Sequence, residues 1–120
     1  MLLNFKGNMI IEDGKSIYDF NLDSLEHKVN KAWESRDIYS IIENVDIAMD
    51  ILSIEISING ISKHKATYEI CVTYNNNITL EDFQIILNDL QYEVNDLNEF
   101  ITGFPGFNGI TFDGNSIVEC

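Results

Sequence analysis

Between residues 79 and 102, apolar residues recur every three or four positions, which predicts one long amphipathic helix. The positions that share this apolar stripe are Leu80, Phe83, Leu87, Leu90, Val94, Leu97 and Ile101. Thr79 is a suitable N-cap with Asp82 three residues later, and Gly103 and Pro105 follow the last periodic position. We expect the rest of the chain to pack around this helix.

Two shorter helical patterns precede it. The first covers residues 23–35, where Asp23 has the N-cap position of a capping box. The second covers residues 37–51 and begins at Asp37, another suitable cap. Their apolar periods do not join across residues 35–37, so the pattern predicts a break or kink there.

Strict alternation of apolar and polar residues indicates strands in the middle of the chain. The two alternating runs lie within residues 53–74 and are separated by a turn, which predicts an antiparallel hairpin with one buried face. Residues 2–11 predict one or two short strands, and residues 110–118 a small hairpin or edge pair. The fold class is therefore α+β: a single domain over residues 1–120, with a small antiparallel sheet covered by the three helices.

Charge changes this picture more than composition does. Twenty acidic residues stand against seven basic ones, and the net charge is −13. Such a charge repels phosphate backbones and anionic lipid surfaces, so we expect neither nucleic acid nor a membrane as partner. The partner that suits it is a protein with a basic surface. Because no secretion signal or long apolar run is visible, we expect a cytoplasmic location.

The residues that carry chemistry are not arranged in any recognisable site. His27, His64, Cys71 and Cys120 lack the spacing of zinc ligands, and no nucleophile motif or phosphate-binding loop is present. We therefore expect no metal, no cofactor, no small-molecule substrate and no catalytic residues. The sequence favours binding over catalysis.

Two features are candidates for contact with a partner, and the first is the acidic face of the long helix. The four residues that we expect to steer a basic partner are Asp89, Glu93, Asp96 and Glu99. The alternative is that these carboxylates only keep the protein soluble.

The second candidate is the loop GFPGFNG at residues 103–109. Phe104 and Phe107 flank a Pro-Gly pair there, and large aromatics on a constrained loop are typical interface anchors. The alternative is that they pack under the end of the helix and close the core. We expect one of the two to be buried and the other exposed.

A short, strongly acidic chain that is rich in Ile and Asn and contains the segments GFPGFNG and NDLNE resembles small phage-encoded anti-defence proteins. Among these it is similar to the inhibitor of a bacterial defence-associated sirtuin, an NADase. The resemblance implies a non-enzymatic inhibitor that occludes a large defence protein in the cytoplasm of the infected host. Two alternatives stay open: an immunity protein or antitoxin that neutralises a basic toxin, and a phage structural or assembly protein.

Overall fold

Four antiparallel strands form one open sheet in the computed structural model of the protein. It describes residues 2–75, 77–103 and 106–118, apart from the side chains of residues 100, 102 and 115–118. The strands are β1 (Leu2–Ile11), β2 (Ile51–Asn59), β3 (Lys65–Tyr74) and β4 (Ile110–Val118), in the spatial order β2-β3-β1-β4. The fold is α+β, as the sequence predicts.

The helices lie between the strands in the chain. They are α1 (Leu22–Glu34), α2 (Ile38–Ile41), α3 (Val45–Asp50) and α4 (Leu80–Thr102), and a short 3-10 helix spans Ile17–Asp19. This succession, together with the strand order, is that of the split β-α-β motif. The predicted start of the long helix is confirmed, because Thr79 Oγ1 accepts a hydrogen bond from the Asp82 amide at 3.2 Å.

The predicted hairpin is also confirmed. Strands β2 and β3 pair antiparallel, with Ile54 opposite Val72 and Ile56 opposite Ile70. All four of these side chains are buried. The period-2 pattern therefore identified both the strands and the face that packs against the helices.

The second predicted helix is divided, so its extent over residues 37–51 is wrong. Asp37 caps α2 as expected, accepting from the Tyr39 amide at 3.1 Å, and the break before it is present. Asn44 then starts α3 by accepting from the Ile47 amide at 3.2 Å. The apolar spacing continues across Asn44, so the periodicity alone could not reveal that a second helix starts there. Helix α1 begins at Leu22 with Asn21 as its cap, not Asp23.

Each terminal segment forms a single strand. Residues 110–118 are one edge strand paired with β1, so of the two predicted alternatives the hairpin is wrong and the edge strand is correct. The ladder is irregular between Lys6 and Asn8, where Gly7 faces the ring of Tyr68. A Cβ on Gly7 would overlap the Tyr68 hydroxyl, which donates to the Gly114 carbonyl oxygen at 2.8 Å. Lys6 pairs with Ser116 and Asn8 with Asp113, so β4 has one extra residue here, and Gly114 belongs to a bulge and not to a turn.

The core lies between one face of the sheet and the helices. On α4 the buried apolar residues in the described part of the chain are Ile86, Leu90, Val94, Leu97 and Ile101. Leu80 was predicted to share this stripe but is 76% exposed. At about 100° per residue it lies at the margin of the inner face, about 80° from Leu90.

Candidate protein-binding surface

The acidic flank of α4 faces the junction between α1 and α2. Glu93 is only 7% exposed, and both of its oxygens accept hydrogen bonds from the Arg36 guanidinium, one of them at 3.0 Å from Nη2. These bonds raise the pKa of Arg36; partial burial opposes them, and the charges of Glu93 and Asp96 add to them. Glu93 is therefore a buried partner of Arg36. The prediction that it belongs to an exposed face that steers a partner is wrong.

Asp89 is also turned toward its own protein. It is half-buried, and its Oδ2 accepts a hydrogen bond from the Glu43 amide at 3.3 Å. Desolvation raises the pKa of Asp89, the Glu43 charge raises it further, and the bond from the amide lowers it. Of the four carboxylates expected to steer a partner, Asp96 and Glu99 are the exposed ones.

A cavity of about 170 Å³ adjoins the Arg36–Glu93 pair. Its lining residues are Ala32, Trp33, Arg36, Glu93, Asp96 and Leu97. The guanidinium and the carboxylate in this cavity are hydrogen-bonded to each other. The Arg36–Glu93 ion pair therefore links the α1–α2 junction to α4.

Phe107 is a core residue. It is 5% exposed, its ring stacks on that of Phe20 with centroids 6.2 Å apart, and Lys28 Nζ lies 5.6 Å from its ring centre. Its interpretation as an exposed anchor is therefore wrong, and Phe107 is buried, with its ring closing the core. Phe104 lies outside the described residues.

Phe107 belongs to one end of the molecule, which we call the loop end and define as residues 12–20, 59–65 and 106–109. Backbone hydrogen bonds join these loops: Glu12 N to Gly109 O at 2.8 Å, and Ile17 N to Lys63 O at 2.7 Å. Lys15 Nζ also donates to the Asn108 carbonyl at 2.8 Å. Three acidic and three lysine side chains belong to the loop end, so its formal charges cancel.

The opposite end of the sheet, which we call the acid end, comprises residues 37–52, 74–75 and 77–89. Asn75 N donates to Asp50 O at 2.8 Å, and the bond between Asp89 and Glu43 joins α4 to the α2–α3 turn. These segments contain seven acidic residues and no Lys or Arg. Desolvation raises the pKa of Tyr74, and the charges of Asp50 and Asp82 raise it further. The carboxylates of Asp50 and Asp82 therefore lie close enough to Tyr74 to act on its phenol.

The acid end also exposes apolar side chains. Ten large apolar residues are exposed in the described part of the chain, and five belong to this end: Tyr39, Val45, Met49, Leu52 and Leu80. Met49 is 65% exposed and Val45, one turn before it on α3, is 58% exposed. Apolar contacts surrounded by charge are typical of protein interfaces.

Sequence reasoning missed this surface because Val45, Met49, Leu52 and Leu80 fit the apolar periods of buried helices. Two signals in the sequence could have found it. Asn44 is a possible N-cap that shortens the helix, and a short helix leaves part of its apolar set outside. In addition, no Lys or Arg occurs between residues 37 and 62 or after Lys65.

The outer face of the sheet is polar, and its groups bind one another. Lys6 Nζ lies 2.8 Å from Glu69 Oε1, and the Cys71 thiol donates to Asn4 Oδ1 at 2.8 Å. The hydrogen bond with Lys6 lowers the pKa of Glu69 below its usual range. Because these polar groups are already satisfied, this face offers less to a partner than the acid end.

Comparison with protein-family models gives no match, and a search of curated proteins finds no relative of this chain. In residues 2–75, 77–103 and 106–118, no helix has both the length and the apolar character required to cross a membrane. Within the same residues, no three His, Cys, Asp or Glu side chains lie close enough to hold a metal ion. Any inference about function therefore rests on the local geometry of the molecule.

Proposed function

We propose that this protein is a non-enzymatic inhibitor that binds another protein through its acid end. The observation that carries the proposal is the combination found there: seven acidic residues without a Lys or Arg, and five exposed large apolar side chains. The carboxylates accelerate encounter with a basic surface and orient it, while the apolar groups supply the contacts that hold it.

The target that we propose is a bacterial defence-associated sirtuin, in the cytoplasm of a phage-infected cell. Size, acidity and the Ile- and Asn-rich composition support this choice through the resemblance described above. Inhibition would act by occlusion, with an interface of roughly 800 Å² on this side. That area is a modest part of the 6832 Å² of accessible surface.

The experiment is a titration of a purified defence-associated sirtuin with this protein, while NAD hydrolysis is followed. We expect loss of NADase activity at a defined stoichiometry. Met49→Ala at the acid end should weaken inhibition by the equivalent of about 1–2 kcal/mol if Met49 is an anchor. The matched control is Ile61→Ala, which also truncates an exposed apolar side chain but lies at the loop end.

The outcomes separate the target from the surface. Unchanged NADase activity in the presence of excess protein would contradict the sirtuin as target. A tight complex with a basic toxin would then support the immunity-protein alternative, again through the acid end. If Met49→Ala and Ile61→Ala bind the partner equally well, the acid end is not the surface.

A further inference from the structure

Strand β2 forms one edge of the sheet, beside β3 only. In an edge strand, every second residue directs its N–H and C=O outward, away from the neighbouring strand. Such groups can pair with an added strand unless something covers them. The two halves of β2 differ in this respect.

The C-terminal half is covered by helix α1. Asn30 donates from Nδ2 to the Ile56 carbonyl at 3.1 Å and accepts at Oδ1 from the Ile56 amide at 2.8 Å. Glu26 Oε2 accepts from the Ile58 amide at 3.1 Å. Two side chains of one helix therefore occupy the outward groups where another strand would add.

The N-terminal half has no such cover in the described part of the chain. Because Ile56 and Ile58 direct their amides outward, the alternation directs the Ile54 amide and carbonyl to the same edge. The register shifts between Ile51 and Ser53, and Leu52 at that irregularity is 60% exposed. The free pairing groups of Ile54 thus lie beside an exposed apolar side chain.

A cleft of about 260 Å³ opens at this half of the strand. Trp33, Ile38 and Ile41 line it from the helices, and residues 52–55 line it from β2. The exposed carboxylates of Glu34 and Glu55 are at its rim, whereas the third charged lining group, Arg36, is bound to Glu93. The cleft therefore combines apolar side chains, negative charge and a strand edge.

We propose that the cleft and the adjoining edge of Ile54 receive an extended, basic segment of the partner protein, which pairs with β2 as an added strand. The segment places an apolar side chain in the cleft and directs basic side chains to Glu34 and Glu55. This inference rests on the proposed function, because it states how the partner would engage a surface that adjoins the acid end.

The test uses a synthetic peptide of alternating lysine and valine, and amide hydrogen exchange measured by NMR on the full chain. In the free protein we expect the Ile54 amide to exchange faster than those of Ile56 and Ile58. At a peptide concentration roughly ten times its Kd, exchange at Ile54 should slow by about tenfold. Leu52→Lys should weaken the peptide several-fold, whereas Ile61→Lys at the loop end should not.

A control peptide carries N-methyl groups on the residues whose amides would face β2. Equal protection of Ile54 by this control would overturn strand pairing, as would an Ile54 amide already protected in the free protein. Protection that appears without peptide as the protein is concentrated would assign the edge to a second copy of this chain. These results do not depend on the sirtuin, so failure of the target and failure of the docking mode are distinguishable.

Discussion

The loop end and the acid end lie at opposite ends of the same sheet, about 30 Å apart for strands of this length. At the loop end, acidic and basic residues balance, and Phe107 fills the core beside Phe20. At the acid end, seven acidic residues have no Lys or Arg among them, and apolar groups such as Met49 face outward. Uncompensated negative charge and exposed apolar surface therefore occur together at the acid end and not at the loop end.

At the loop end, the aromatic side chain of Phe107 is buried, and its removal should cause the largest expected loss of stability. Phe107→Ala should lower the free energy of unfolding by roughly 3–5 kcal/mol, because it empties a site packed against Phe20. Tyr18→Ala is the matched control, since this loop-end aromatic is largely exposed. Denaturant titration measures both variants, and a loss below about 1 kcal/mol for Phe107→Ala would mean that the ring is not part of the core.

Helix α4 allows a similar comparison between a buried and an exposed position. Leu90→Ala should cost roughly 2–5 kcal/mol of stability, because the side chain is fully buried. Leu80 is the first residue of α4 and is exposed, so Leu80→Ala should change stability by less than about 0.5 kcal/mol. Equal losses for the two variants would show that the first turn of α4 packs as tightly as its middle.

The Arg36–Glu93 pair should contribute less than either core side chain. Glu93→Gln leaves the guanidinium with a neutral partner; because Glu93 is buried but the Arg36 side chain is 38% exposed, we expect a loss of about 1–2 kcal/mol. Glu81→Gln, on the exposed first turn of the same helix, should cost less than about 0.5 kcal/mol. Thermal unfolding measures the stability of both variants. If Glu93→Gln does not lower the stability, the Arg36–Glu93 pair does not stabilise the fold.

The smallest effect has opposite signs at the two ends. The Glu43 charge raises the pKa of Asp89, so Glu43→Gln should increase stability at neutral pH by a few tenths of a kcal/mol. Glu12→Gln should decrease it slightly, because Glu12 lies 3.5 Å from Lys15 Nζ. A decrease for Glu43→Gln would contradict uncompensated repulsion at the acid end.

The pH dependence of the stability gained by Glu43→Gln follows from the direction in which the pKa of Asp89 is shifted. A folded-state pKa above the ordinary value for Asp89 gives a stability contribution that is complete below that ordinary value and is lost as the pH rises through the raised pKa. The gain from Glu43→Gln should therefore disappear once the pH falls below the ordinary pKa of aspartate. Urea titrations at a series of pH values measure this trend.

The sequence predicted those elements whose signal is local and repeated. Alternation identified the β2–β3 hairpin, and the Thr79 cap with its period identified α4. Asn44 shows where the period fails: an internal cap starts a new helix although the apolar spacing continues. The strand at residues 110–118 could not be told from a hairpin, because Gly114 suits a bulge as well as a turn.

The candidate surface was less accessible to sequence reasoning, because it depends on which segments meet. Glu93 is three residues after Leu90 and four before Leu97, so its position at the edge of the buried stripe was compatible with either face. Its burial follows from Arg36, which is distant in the chain. Similarly, the net charge was visible, but its concentration at one end required the β3–α4 and α2–α3 segments to be placed together.

The most direct test of the central proposal, that the acid end meets the partner, is the association rate with the defence-associated sirtuin for two variants of equal charge change. Glu43→Lys alters the acid end, and Asp13→Lys alters an exposed turn of the loop end. Both should fold, because each side chain is exposed. We predict that Glu43→Lys slows association by about tenfold at low salt and by less at physiological salt, while Asp13→Lys has little effect. Equal rates for the two variants, or a larger effect of Asp13→Lys, would contradict the account.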